Sequence, residues 1–200
     1  MKGYIALFIC TSTRAVHLKL VEDYTSESFI AAFHRFTARR GHFSDLFSDQ
    51  GTNFIGADTC LQQLFEGFQS ENSEVFHRLI NEGTQWYFNP PKAAHFGGLW
   101  EAGIKSAKHH LRRVIGEQVL TFTEYNTIKY RIEAVLNSRP IIPLSDDPTD
   151  LQPLTPAHFL IMRNSFLVPV PDQSRVKVSL GKRWDNVTRM VQSFWARWSV

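Results

Sequence analysis

Tyr4–Cys10 is an unbroken apolar run, whereas Ala15–Val21 alternates around Val16, Leu18 and Leu20. With the polar stretch Thr11–Arg14 between them, the pair predicts a β-hairpin whose first strand lies centrally in a sheet. Phe29, Phe33 and Phe36 then recur at i, i+4 and i+7, with Thr25 or Ser26 as cap and Arg39-Arg40-Gly41 as the stop. Phe43–Phe47 predicts a short strand that runs into Ser48-Asp49-Gln50-Gly51-Thr52-Asn53. Leu61, Leu64, Phe65 and Phe68 form a helical stripe, and Val75, Leu79 and Ile80 another, stopped by Gly83.

Gln85–Phe88 is an aromatic-rich strand. The two prolines and two glycines between Asn89 and Gly98 dictate a loop. A long helix follows from about Leu99 to Ile115, stopped by Gly116. Thr121-x-x-Glu124 is a capping box for the next helix, through Ile128, Ile132, Val135 and Leu136, which ends before Pro140. Pro140–Gln173 is rich in Pro and Asp, with one short helix after Thr155-Pro156. Trp184–Trp198 carries Val187, Met190, Val191, Phe194 and Trp195 at helical spacing and meets the chain end without a stop signal. It is expected to pack on residues further along a longer chain. The order of elements predicts an α/β layer with helices packed on a sheet, and no internal repeat is visible.

Composition changes this picture little. In 200 residues, 43% hydrophobic content and 16 Phe supply a packed core and exclude a disordered chain. Cys10 and Cys60 give neither a disulfide framework nor zinc-ligand spacing, and no apolar run is long enough for a membrane span. The net charge of +3 matters less than its distribution. Residues 105–113 hold Lys105, Lys108, Arg112 and Arg113 with His109 and His110 and no acid, while acids gather at Glu66–Glu74 and Asp146–Asp150.

Two acids stand where chemistry would. Asp49 ends a predicted strand just before a Gly-containing turn, where functional groups of α/β sheets gather. Asp and Gly also favour such turns for purely local reasons. Glu101 sits in the first turn of the long helix, where the helix dipole alone would favour it. Lys105, Lys108 and Arg112 share its face at +4, +7 and +11, opposite Trp100, Ile104, Ala107, Leu111 and Val114. That pattern suits a helix lying along a phosphate backbone with a metal ligand at its head. It equally suits a solvated face with a Glu101–Lys105 pair. Carboxylates far apart in sequence are what two-metal phosphoryl transfer brings together, although such a site normally takes three.

At this point the chain resembles the integrase of Pao/BEL-type LTR retrotransposons, a retroviral-integrase-like family. The likeness rests on Arg14-Ala15-Val16-His17-Leu18, Arg39-Arg40-Gly41, Ser48-Asp49-Gln50-Gly51-Thr52-Asn53-Phe54, His95-Phe96-Gly97-Gly98-Leu99-Trp100-Glu101-Ala102-Gly103 and Leu136-Asn137-Ser138-Arg139-Pro140. The resemblance implies an RNase H-like mixed sheet flanked by helices, with DNA 3′-end processing and strand transfer by an Asp, Asp, Glu triad using Mg²⁺ or Mn²⁺. Asp49 matches the second acid and Glu101 the third, with 51 residues between them. Lys105 and Lys108 look like the positions that hold DNA in related integrases, and Arg112 joins them as a DNA-binding candidate through its place on the same helix face. The implied partners are element-end and target DNA and further copies of the chain, without a membrane, in the nucleus, the cytoplasm or both.

The departure is the first triad Asp, which belongs on a strand preceding Tyr4–Cys10. The expectation is therefore a core lacking its first strand (1–142), a Pro/Asp-rich extension (143–181) and the start of a helical C-terminal region (182–200), inactive by itself. The alternatives are a catalytically dead DNA-binding remnant and an interaction module built on the aromatic final helix.

Overall fold

The alternation at the start of the chain folds as expected. Strands β1 (Tyr4–Ile9) and β2 (Val16–Val21) pair as a two-stranded sheet. The structure is a computed structural model and describes residues 3–69, 84–90, 98–147, 149, 152–163, 170–172 and 183–198. So short a link forces the pair antiparallel. Its turn is closed by Arg14 N–H donating to the Cys10 carbonyl (3.0 Å) and Cys10 N–H to the Ala15 carbonyl (2.9 Å). Arg14 takes φ +59°, a left-handed conformation that costs a residue with a Cβ about 1 kcal/mol or more.

The outer edge of β2 is closed by side chains instead of another strand. Asn137 binds both the N–H and the carbonyl of Val16, Glu133 Oε2 accepts from Leu18 N–H (2.9 Å), and Arg35 Nη2 donates to the Leu20 carbonyl (3.3 Å). Glu133 Oε1 also accepts from His17 Nδ1–H at 2.9 Å, with both side chains buried. An exposed strand edge invites pairing with other chains, and these groups satisfy it.

By contact, the chain divides into two compact units, Met1–Ala6 with Lys19–Glu101 and Leu7–Leu18 with Ala102–Val200. In the first, α1 (Ser26–Arg40) begins at Thr25, whose hydroxyl accepts from Ser28 N–H, and ends at Gly41 with φ +81°. Strand β3 (Asp45–Ser48) leads through a tight turn into α2 (Thr52–Gln69). Of the expected stripe of α2, Leu61 is half-buried and Leu64 exposed, while the side chains of Phe65 and Phe68 lie outside the described set. The helix expected at Val75–Ile80 lies outside the described residues. Strand β4 (Gln85–Phe88) returns parallel to β3, pairing Asp45 with Gln85 through Ser48 with Phe88.

The phenylalanine stripe of α1 fills this unit. Phe29 packs edge-on against Phe54 (4.8 Å between centroids) and tilted against Trp86 (5.7 Å), while Phe33 and Phe36 meet Phe43. Each such pair adds about 0.5–1.5 kcal/mol beyond the area it buries.

In the second unit, the capping box forms in full at Thr121 and Glu124 and starts α4 (Phe122–Asn137), which follows α3 (Gly98–Ile115). The Pro/Asp-rich stretch contains a short antiparallel pair that periodicity missed, β5 (Ile142–Pro143) with β6 (Pro153–Leu154), and then α5 (Pro156–Ile161). The last helix, α6 (Arg183–Trp198), corrects an expectation. Its apolar residues Val187, Met190, Val191 and Phe194 are buried in this unit, where α6 packs on α4. The apolar face thus has cover within this unit, where α4 lies against it and Arg131 Nη1 donates to Thr188 Oγ1 at 3.2 Å.

The chain is thus mixed α/β, but with three two-stranded sheets among the described residues where one sheet was expected. The expected central strand β1 pairs with β2 alone there, because no described strand joins β1 to β3.

Candidate nucleic-acid and metal site

The end of β3 is built around one buried hydrogen bond. Trp86 lies in the aromatic cluster, and its Nε1–H donates to Ser48 Oγ at 2.9 Å. Ser48 Oγ in turn donates to the Asp49 carbonyl (2.9 Å), and Asn89 N–H donates to the Ser48 carbonyl (2.9 Å), carrying the parallel ladder one step past the strands. The backbone entering Asp49 is therefore pinned to β4, while the Asp49 side chain is exposed.

Asp49 Oδ1 accepts from Gly51 N–H at 3.2 Å, so the local turn role anticipated for this acid is real. It leaves the second carboxylate oxygen without a protein donor among the described residues. A Cβ at Gly51 would lie 2.8 Å from Asn53 Oδ1 and 3.2 Å from Asp49 Oδ1, so these side-chain ends would have to shift to admit it. Asn53 is buried, and its Oδ1 has no hydrogen-bond partner.

Glu101 occupies the first turn of α3, exposed, in the same compact unit as Asp49. Residues 91–97, including His95, lie outside the described residues. Lys105, Lys108 and Arg112 are all exposed, as are His109 and Arg113, so the predicted basic face exists. The opposite face is less uniformly inward than expected. Ala107 and Leu111 are buried, Val114 is half-buried, Ile104 is 42% exposed, and the Trp100 side chain is outside the described set. The bland pairing of Glu101 with Lys105 does not form among the described residues, leaving both charges to solvent or ligand. Further along α3, a Cβ on Gly103 would stand 3.0 Å from Ile9 Cδ1, so glycine lets the helix approach the end of β1 closely.

The two acids are not joined by any hydrogen bond, and no group of three or more His, Cys, Asp or Glu able to hold a metal occurs among the described residues. Sequence reading missed Ser48 as a support of the Asp49 turn and Asn53 as a buried polar residue beside it. Its motif contained both residues, but nothing in their spacing gives a partner such as Trp86. Likewise, Arg14 and Arg139 came from motifs to which no role could be given. No protein-family model and no curated protein matches this chain.

Proposed function

We propose that this chain is a DNA-binding core of the retrotransposon-integrase type, with an RNase H-like plan, whose complete form carries out metal-dependent DNA 3′-end processing and strand transfer. The observation that carries the reading is the basic face of α3. Lys105, Lys108 and Arg112 stand exposed behind Glu101 at the helix head, with no acid paired to them among the described residues, and Asp49 is exposed at the end of a parallel strand. Cations in a line along a helix bind successive backbone phosphates without reading base sequence.

Asp49 and Glu101 offer the hard oxygen donors that Mg²⁺ and Mn²⁺ prefer. They would be the ligands here, and a bound ion would polarise a phosphoryl oxygen. Two carboxylates make an incomplete set for a two-ion site. Asp49 is readied by its pinned backbone and by the Gly51 N–H that fixes one of its oxygens. In a second reading the chain binds DNA through the same basic face without cleaving it.

Fluorescence anisotropy with a fluorescein-labelled 30-base-pair duplex, over a series of salt concentrations, tests the first part. Replacing Lys105 and Lys108 together by Ala should weaken binding and lower the log–log salt slope by about 1.8, at about 0.9 per lost phosphate contact. Wild-type affinity and slope in that variant would remove the reading. A strand-transfer assay with Mn²⁺ separates the two forms. Activity abolished by Asp49→Asn supports the enzyme, and binding without any turnover supports the non-catalytic form.

A further inference from the structure

Two motifs far apart in sequence, neither used by the site above, meet in the second unit. Arg139 Nη2 donates to the Arg14 carbonyl at 2.7 Å, two residues from the place where Asn137 grips Val16. The contact spans 125 sequence positions. It places one guanidinium against the main chain of the residue that carries the other, and no carboxylate pairs with either among the described residues.

The local structure works to hold this arrangement. Arg14 keeps φ +59° although glycine would take that conformation freely. Its side chain is exposed, while Arg139 is half-buried. The neighbouring turn residues Thr11 and Ser12 are exposed. A strained backbone at a cationic residue, beside a second cation with no counter-charge, is an arrangement that an anion would complete. Burial and the Arg14 charge both pull the Arg139 guanidinium below its ordinary range, which an anion between the two would reverse.

We infer that Arg14 and Arg139 form an oxyanion site at the tip of the β1–β2 hairpin that takes a backbone phosphate of DNA. The choice of DNA as ligand rests on the function proposed above, whereas the site itself rests on the paired arginines.

Arg14→Gly is the informative variant, because it removes a guanidinium and relieves the strained φ. The full chain should keep or raise its thermal midpoint. Its duplex affinity should fall several-fold at low salt, and the log–log salt slope should drop by about 0.9, as for one lost phosphate contact. Arg139→Lys, which retains a donor and the charge, should lose less. Unchanged affinity and slope in Arg14→Gly would overturn the assignment of DNA phosphate. Inorganic pyrophosphate separates this failure from failure of the DNA reading. If wild type binds no duplex but is raised in thermal midpoint by pyrophosphate and Arg14→Gly is not, the oxyanion site stands and the DNA reading falls. If Arg14→Gly changes neither the salt slope nor the pyrophosphate response, the site falls.

Discussion

Asn137 holds Val16 by both ends of its amide, Oδ1 accepting from the Val16 N–H at 2.7 Å and Nδ2 donating to the Val16 carbonyl at 2.8 Å. A single side chain thus does what a neighbouring strand would do for that residue. Both partners are buried, so deleting the amide strands two main-chain groups away from water. Asn137→Leu should cost about 2–6 kcal/mol, from roughly 1–3 for each of the two unsatisfied groups. Urea denaturation measures it, and a loss below about 0.5 kcal/mol would mean that the clamp is dispensable.

A similar argument applies to Ser48 at smaller scale. Ser48→Ala leaves the Trp86 indole N–H buried without an acceptor and should cost about 1–3 kcal/mol. Duplex affinity should hardly change if DNA is held by α3. A large loss of binding with unchanged stability would contradict that division of labour.

Phe194 is fully buried where α6 packs on α4. Phe194→Ala should destabilise the chain by about 3–5 kcal/mol. Trp195, which is 48% exposed, should tolerate Ala with a far smaller loss. Equal effects in calorimetry would show that the helix faces have been assigned wrongly.

Glu124 supplies a pH dependence. Arg183 donates Nε to Oε1 and Nη2 to Oε2, and with the Thr121 N–H this holds the carboxyl at about 2, against an ordinary 4.5. Because the folded value lies below the unfolded one, the pair's stabilisation is complete above about pH 4.5. It is lost as pH falls from there towards 2. Glu124→Gln should therefore flatten the dependence of the urea midpoint on pH in that window, and salt should weaken the wild-type effect because the pair is at the surface. An identical acid branch in both proteins would refute the assignment.

What could be read from sequence was whatever local chemistry decides. The box at Thr121 and Glu124, the Thr25 cap, the stop at Gly116 and the strand Gln85–Phe88 each follow from a few neighbouring residues. The exposed basic face of α3 followed from helical spacing alone. Periodicity could not give the partners of those elements. It read β1 as central because its run is apolar throughout, yet sheet position depends on which strands arrive. It placed Ile104 inward with Ala107 and Leu111, although Ile104 is exposed. It also left α6 waiting for residues beyond the chain, because nothing in an amphipathic stripe identifies α4 as its cover. Asp49 and Glu101 were found by type and place, whereas the roles of Ser48, Arg14 and Arg139 emerge only from contacts across the fold.

The closure of β2 by Glu133 and Asn137 sets an order of events during synthesis. The hairpin can form as soon as Val21 has emerged, but Asn137 lies 121 positions after Val16. At roughly 5–20 residues per second, the hairpin waits on the order of ten seconds with a row of unpaired amides and carbonyls open to other nascent chains. Fragments that stop short of Glu133 would keep that edge open permanently and should collect in inclusion bodies.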